Sequence, residues 1–286
     1  MTTLQGKTIL ITGADGGIGR ETTLGLARLG AAMVMACVDP DAAAPVCEKI
    51  KRESANPHID LLQLDLSSLA AIRDCARRVA GKYDRLDVLI NNAGVFCMQR
   101  QETRDGLEMS MGVNYFGPFL LTNLLLPLVR KAPAGRIINV SSNGHFQGRL
   151  DMDDLQIQKG YKSMKAYSAS KLALVLFSRE LAERVQGDGI SVNAVHPGST
   201  ATGIWNLWPG TWYQAVMTKL IGWFMASPQK GSEASIYLAG SEAVGSVTGK
   251  YFSQKKLKEP SPQARDAHLQ KALWRESERL TGLTPP

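Results

Sequence analysis

The sequence predicts an α/β protein. It reads as one domain over 1–286, built on a doubly wound parallel sheet of about seven strands with helices on both faces. Three observations predict this. Short, nearly continuous apolar runs alternate with helix-period segments along the whole chain, the pattern of strands covered on both sides. A glycine-rich loop joins the first apolar run to the first helical segment. No Gly/Pro/Ser-rich linker, internal repeat or low-complexity tract divides the 286 residues.

The elements follow in order. Thr8-Ile9-Leu10-Ile11 marks a first strand over 7–11, and Thr12-Gly13-Ala14-Asp15-Gly16-Gly17-Ile18-Gly19-Arg20 leads into a helix over 17–29. Glycines at this place let the backbone turn tightly and approach a pyrophosphate resting on the helix N-terminus. The position favours a dinucleotide site over a plain turn and makes the expected fold Rossmann-like, although Gly-x-x-x-Gly-x-Gly departs from the commoner Gly-x-Gly-x-x-Gly. The second strand, 32–38, ends in Ala36-Cys37-Val38-Asp39 before a helix over 41–54. An acidic residue here binds the adenosine ribose hydroxyls, a role open to Asp39, whereas a 2′-phosphate calls for an Arg. No basic residue adjoins Val38, and Arg20 of the glycine loop is the nearest candidate.

A third strand over 58–64 leads to Asp65 and Leu66, with Asp65 placed either to reach the adenine or to cap the helix over 67–82. A fourth strand, 86–90, ends at Asn91-Asn92-Ala93-Gly94, ahead of a helical stretch over 105–130. The fifth strand, 135–140, leads to Ser141-Ser142, a polar insertion over 143–162 and a helix over 163–187. The sixth, 190–196, ends at His196-Pro197-Gly198; a Trp-rich segment over 203–226, a helix over 227–240 and a strand over 249–252 follow.

Composition bounds the function. The net charge of +7 is uneven: from Gly249 onward eight Lys and Arg stand against four Asp and Glu. No nucleic-acid motif accompanies it, so 253–286 reads as a solvated basic extension, with weak attraction to an acidic membrane surface as the sharper alternative. No segment reads as long and apolar enough to span a bilayer, and the N-terminus lacks the layout of a signal peptide. Cys37, Cys47, Cys75 and Cys97 are scattered, without a Cys-x-x-Cys pair, as reduced thiols of a cytoplasmic protein would be, and suggest neither disulfides nor a metal site.

Chemistry enters with Tyr167 and Lys171, four residues apart and so on one helix face. An ammonium beside a phenol favours phenolate and lowers its pKa, tuning the group to exchange a proton with an alcohol or carbonyl oxygen. His145, near Ser142, has no nucleophile elbow to serve and reads as structural or substrate-lining; His196 reads as packing at a strand end.

Six motifs occur in one order: Thr12-Gly13-x-x-x-Gly17-Ile18-Gly19, Asn91-Asn92-Ala93-Gly94, Asn114 in Val113-Asn114-Tyr115-Phe116-Gly117, Asn139-Val140-Ser141-Ser142, Tyr167-x-x-x-Lys171 and Pro197-Gly198-x-x-x-Thr202. With them the chain resembles the short-chain dehydrogenase/reductase family over nearly its whole length. The spacing of Ser142 and Tyr167, Ser142-x-x-His145, and Gly249-Lys250-Tyr251-Phe252 resemble its retinol dehydrogenase-like branch, which includes the catalytic domain of the WW-domain oxidoreductase.

The resemblance implies roles. Tyr167 would be the acid/base, Lys171 its pKa-lowering neighbour and a ligand of the nicotinamide ribose, Ser142 the holder of the substrate oxygen, and Asn114 part of a proton relay. Ser141 is the near alternative to Ser142. The cofactor would lie along Gly13, Asp15, Gly17, Ile18 and Gly19, then Asp39, Asp65 and Leu66, then Asn92, Ala93 and Gly94, and finally Tyr167, Lys171, Pro197, Gly198 and Thr202. Ancestry slightly favours NADP(H); Val38, where the branch carries Arg, leaves NAD(H) open.

The implied activity is an NAD(P)-dependent interconversion of an alcohol with an aldehyde or ketone, on a bulky hydrophobic substrate of retinoid, steroid or lipid type. A nucleotide-sensing scaffold with little turnover is the alternative, opposed by the intact catalytic set. Trp205, Trp208, Trp212 and Trp223 suggest a lid over that substrate, ahead of a homodimer interface or a membrane-facing surface.

Overall fold

The computed structural model describes residues 3–198 and 227–283. The parallel strands are β1 (Thr8–Thr12), β2 (Ala32–Cys37), β3 (Ile59–Gln63), β4 (Val88–Asn91), β5 (Arg136–Val140), β6 (Ser191–His196) and β7 (Lys250–Ser253). A two-residue strand, β8 (Lys256–Leu257), pairs antiparallel with β7. The sheet order is β3-β2-β1-β4-β5-β6-β7-β8, so it has eight strands where about seven were expected. The added strand is too short to leave a periodic signal.

The helices are α1 (Gly17–Arg28), α2 (Pro40–Ser54), α3 (Leu69–Lys82), α4 (Met109–Arg130), α5 (Ser163–Arg184), α6 (Pro228–Gly240) and α7 (Ala267–Thr281). They cover both faces of the sheet. Ile9 and Ile11 of β1 pack with Leu24 and Leu26 of α1, Ile50 of α2 and Leu238 of α6. Leu10, pointing the other way, joins Ile72 of α3, Phe119 of α4, Leu172 of α5 and Trp274 of α7. All three strand residues are fully buried, each side chain contributing roughly 1.5–3 kcal/mol. The order in which strands are added reverses between β1 and β4, and this switch point is where such folds place a ligand.

Three sequence expectations change. Met109–Arg130 does meet the length and hydropathy of a membrane span, but its apolar faces are spent on the core of the fold. It starts later than the expected 105 and contains a π turn over Gly112–Phe116, which shifts the helical ladder by one residue at Asn114. The C-terminal stretch is not simply a solvated basic extension. Trp274 of α7 packs on Phe119 (ring centroids 5.0 Å) and Phe177 (5.8 Å), with the Arg184 guanidinium 4.0 Å above its ring.

A buried polar chain crosses this apolar interior. Asn91 of β4 donates to Thr122 of α4 (2.9 Å) and to Asn139 of β5 (2.7 Å), and Asn139 donates to Ser178 of α5 (2.8 Å).

Candidate active site

A cleft of about 870 Å³ opens at the carboxyl ends of the strands, across the switch point. It runs from the glycine loop to the start of α5, and Gly13, Asp15, Gly17, Ile18 and Gly19 line one end. Gly13 and Gly17 have φ of +61° and +50°, backbone that favours glycine. A Cβ on Gly19 would lie 1.9 Å from the Gly13 carbonyl oxygen and 2.7 Å from Asn92 Nδ2, so the loop closes onto α1 only with glycine there. The ends of β1 and β4 are stapled together. Thr12 Oγ1 accepts from the Asn92 and Ala93 amides (3.0 and 2.9 Å), and Asn92 Nδ2 donates to the Thr12 carbonyl (2.9 Å).

The middle of the cleft carries Asp65, Leu66, Asn92, Ala93 and Gly94, all of them sequence-derived candidates. Asp65 Oδ1 accepts from the Ser67 amide (2.9 Å) and hydroxyl (2.6 Å), and its other oxygen lies 3.4 Å from Arg104, so it organises the turn before α3 as well as facing the cleft. Asp39 does not line the cleft. Its carboxylate is the N-cap of α2, accepting from the Asp41 and Ala42 amides (3.0 and 3.1 Å), with Pro40 in the first turn. Val38, 62% exposed, lines the cleft instead. Arg20 is also committed elsewhere, paired with Glu21 and with Glu53 (3.2 Å). Cys37 and Asp15 share a hydrogen bond, and burial pushes the Cys37 thiol up to about 12, with Asp15 adding to the rise.

At the far end Ser142, Tyr167 and Lys171 come together. Tyr167 is hydrogen-bonded to the Ser142 side chain, whose oxygen also accepts from the Gly144 amide (3.1 Å). Lys171 Nζ lies 5.7 Å from the centre of the Tyr167 ring and donates to the Val140 carbonyl (3.0 Å). Ser141 points away, its hydroxyl donating to the Lys171 carbonyl (2.9 Å). Asn114 is wholly buried: Oδ1 accepts from the Val95 amide (2.7 Å), and Nδ2 donates to the Val95 carbonyl (3.0 Å) and Ser170 Oγ (2.9 Å). Both N–H groups of its amide and one acceptor site of its oxygen thus hold the β4–α4 connection against α5. Pro197 and Gly198 line the rim; Thr202 and the Trp-rich segment 203–226 lie outside the described residues.

The electrostatics differ from the expectation in one respect. Burial raises the Tyr167 phenol above its ordinary value, and the Ser142 hydrogen bond opposes the rise. The same burial lowers Lys171 to about 8. Desolvation dominates at both groups, and the lowering of the phenol expected from its neighbour does not appear.

Sequence reasoning missed three neighbours of this end. His196 lines the cleft with its Nδ1 buried and without a hydrogen-bond partner among the described residues, and burial, Lys258 and His145 together lower it to about 4. Met164 and Gln147 line it beside Tyr167. His196 had only its strand-end position as a signal, and Met164 and Gln147 had none.

The residues present fit a nicotinamide dinucleotide. The close approach of Gly19 to Gly13, which leaves no room for a Cβ, suits a loop folded around a pyrophosphate, and Asp15 and Asp65 line the cleft toward the adenosine end. The buried lysine sits at the opposite end, beside the paired hydroxyls of Ser142 and Tyr167. The family model for short chain dehydrogenases matches residues 7–209. The chain belongs to the short-chain dehydrogenase family. It is an NAD(P)-dependent oxidoreductase that interconverts alcohols and carbonyls, of the retinol dehydrogenase-like branch. Human retinol dehydrogenase 13 is 43% identical over 99% of this chain and 87% of its own length. Human retinol dehydrogenase 14 is 40% identical over 98% and 88%. Among solved structures, an uncharacterised protein from Mycobacterium paratuberculosis superposes with a TM-score of 0.80, at 30% identity over 100% of this chain and 97% of that one. The Pseudomonas aeruginosa RhlG/NADP active-site complex does so with 0.70, at 28% identity over 88% and 95%.

Proposed function

We propose that this short-chain dehydrogenase oxidises or reduces a bulky apolar alcohol or carbonyl of retinoid type, with Tyr167 as the proton-transferring group. The observation that carries the reading is the Ser142–Tyr167 hydrogen bond in a cleft that continues to the glycine loop. A bound nicotinamide supplies or accepts the hydride. Tyr167 gives a proton to the developing alkoxide oxygen in reduction and takes it back in oxidation. Ser142 donates to the same oxygen and stabilises its charge. Lys171, held by the Val140 carbonyl, places a positive charge beside the phenol that favours its ionised form. The Asn114 side chain positions α5 and the β4–α4 connection, and a proton relay would pass at the π turn that holds it.

The reacting end is walled by Val95, Met109, Val113 and Met164, which suits an apolar substrate. Two relatives are named retinol dehydrogenases, and this supports a retinoid. The exposed Met164 at the cleft would give a lipid-like substrate an apolar entry from a membrane surface to a cytoplasmic enzyme.

Ancestry and local charge point apart on the cofactor. Lys171 is the only Lys or Arg among the described residues that line the cleft. Asp15 lines the adenosine end, Arg20 is paired with two glutamates, and Val38 offers no donor. A 2′-phosphate would meet a carboxylate without a compensating guanidinium, so NAD(H) is our reading, against the preference for NADP(H) that ancestry suggests.

A panel of retinoid, steroid, fatty and aromatic carbonyls and alcohols, followed at 340 nm with each cofactor, tests both parts. The expected result is the highest kcat/KM on a retinoid with NAD(H). Turnover confined to small polar substrates would reject the apolar site, and clearly better rates with NADP(H) would reject the cofactor reading.

A further inference from the structure

We infer that His145 is a positioning residue: it holds Ser142 by its main-chain carbonyl and links it to the C-terminal segment at Ser261. The inference rests on the assignment of Ser142 to the substrate oxygen.

His145 is wholly buried in the 3-10 turn Asn143–Phe146 that follows Ser142. Its Nδ1 lies 2.8 Å from the Ser142 carbonyl oxygen, which also accepts from the His145 amide (3.1 Å). Its Nε2 accepts from the Ser261 amide (3.2 Å). An amide N–H can only donate, so Nε2 carries no proton and Nδ1 carries the one it donates to Ser142. The two contacts thereby fix the tautomer, the neutral state and the ring plane together. Phe146 (centroid 4.1 Å) and Tyr251 (4.5 Å) hold the ring from its sides.

The consequence reaches the chemistry through the backbone. Ser142 is extended, and its hydroxyl serves both the Gly144 amide and Tyr167. A shifted carbonyl would rotate that residue and move the hydroxyl away from the phenol. Ser261 belongs to the segment that leads into α7, capping the next turn through its hydroxyl and the Ala264 amide (3.3 Å). Seating of this C-terminal segment and alignment of the catalytic serine therefore share one ring.

Two variants separate the two bonds. In His145→Asn the side-chain NH₂ takes the place of Nδ1 and keeps the donor to Ser142, while nothing reaches Ser261. In His145→Gln the terminal oxygen takes the place of Nε2 and keeps the acceptor for Ser261, while the donor to Ser142 is lost. Each is assayed for kcat and KM on the best carbonyl substrate, and for cofactor affinity by calorimetry. A small displacement of a reacting group costs on the order of tenfold to a hundredfold. We expect that loss in kcat for His145→Gln, a several-fold smaller loss for His145→Asn, and cofactor affinity unchanged in both. Equal losses, no losses, or Gln outperforming Asn would mean that His145 only anchors the tail. The imidazole ¹⁵N spectrum of the wild-type protein gives a second readout, independent of how the variants fold. It should show the Nδ1–H tautomer, and an Nε2–H signal for His145 would overturn the inference. Tyr167→Phe, run alongside, separates the two levels: if it stays active the underlying catalytic reading is at fault, whereas its inactivity beside an unimpaired His145→Gln removes only the role of His145.

Discussion

The two ends of the cleft are built on opposite terms. At the reacting end Tyr167, Lys171 and Asn114 are buried, and Lys171 and Asn114 are held by named hydrogen bonds to the strand ends and connections. At the adenosine end Val38 stands exposed, and the charged groups nearby are satisfied among themselves: Arg20 with Glu21 and Glu53, Asp39 with the start of α2. Chemistry here depends on groups that cannot move, and discrimination between cofactors depends on a rim that substitutions reach without disturbing the core. Changes at the first end should alter the rate, and changes at the second should alter preference.

The largest effect should come from Tyr167→Phe. Only a hydroxyl is lost, and it acts in the transition state, so kcat should fall by about 10²–10⁴ with cofactor affinity nearly unchanged. A variant that keeps most of its kcat would break the comparison at its reacting end.

Val38→Arg sharpens the other end. A guanidinium at this exposed rim position can pair with a 2′-phosphate, and a charge-assisted hydrogen bond of about 1.5–3 kcal/mol corresponds to at least a tenfold shift toward NADP(H). Titrating both oxidised cofactors by calorimetry measures it. No shift would mean that preference is set elsewhere in the cleft, and a change in kcat with NAD would mean that the two ends are not independent.

A third effect concerns stability and leaves the chemistry aside. Burial lowers Lys171 to about 8, so the folded state binds its proton less readily than the unfolded chain. The resulting penalty is present in full below pH about 8 and fades as pH rises toward the ordinary lysine value of 10.5. Lys171→Met, which carries no charge, should therefore melt above the wild type near neutral pH, and the gap should narrow between pH 8 and 10. Differential scanning fluorimetry across that range checks it; a gap that widens would reverse the sign.

The sequence exposes the reacting end better than the rim. Helical spacing alone puts Tyr167 and Lys171 on one face, and the order of strands brings Ser142 beside them. What it cannot weigh is desolvation, which here raises the phenol that a neighbouring ammonium was expected to lower. Asp39 illustrates a signal that was present but outranked: an Asp followed by Pro at a helix start is a capping pattern, and the geometry used it so. The seating of α7 had a local signal, since Leu269, Leu273, Trp274 and Leu280 recur at helical spacing among many charges, but not its partners: Trp274 packs on residues more than a hundred and fifty positions away on α4 and nearly a hundred on α5. The π turn at Asn114 and the pairing of His145 with Ser261 likewise depend on contacts that no periodicity reports.

The chain of amides running from Thr122 through Asn91 and Asn139 to Ser178 has a consequence for how the sheet assembles. Apart from these amides and Arg136, strands β4 and β5 are apolar, and with both faces of the sheet covered, burial alone discriminates weakly between registers. Asn91 sits directly opposite Asn139 in the finished pairing. A slip by one position would part the Asn91 amide from Thr122 and Asn139, at about 1–3 kcal/mol for each buried group left unpaired. The polar chain thus acts as an alignment mark. Misassembled intermediates pay a penalty that the correct one avoids, and the two halves of the cleft meet at the right height before any ligand arrives.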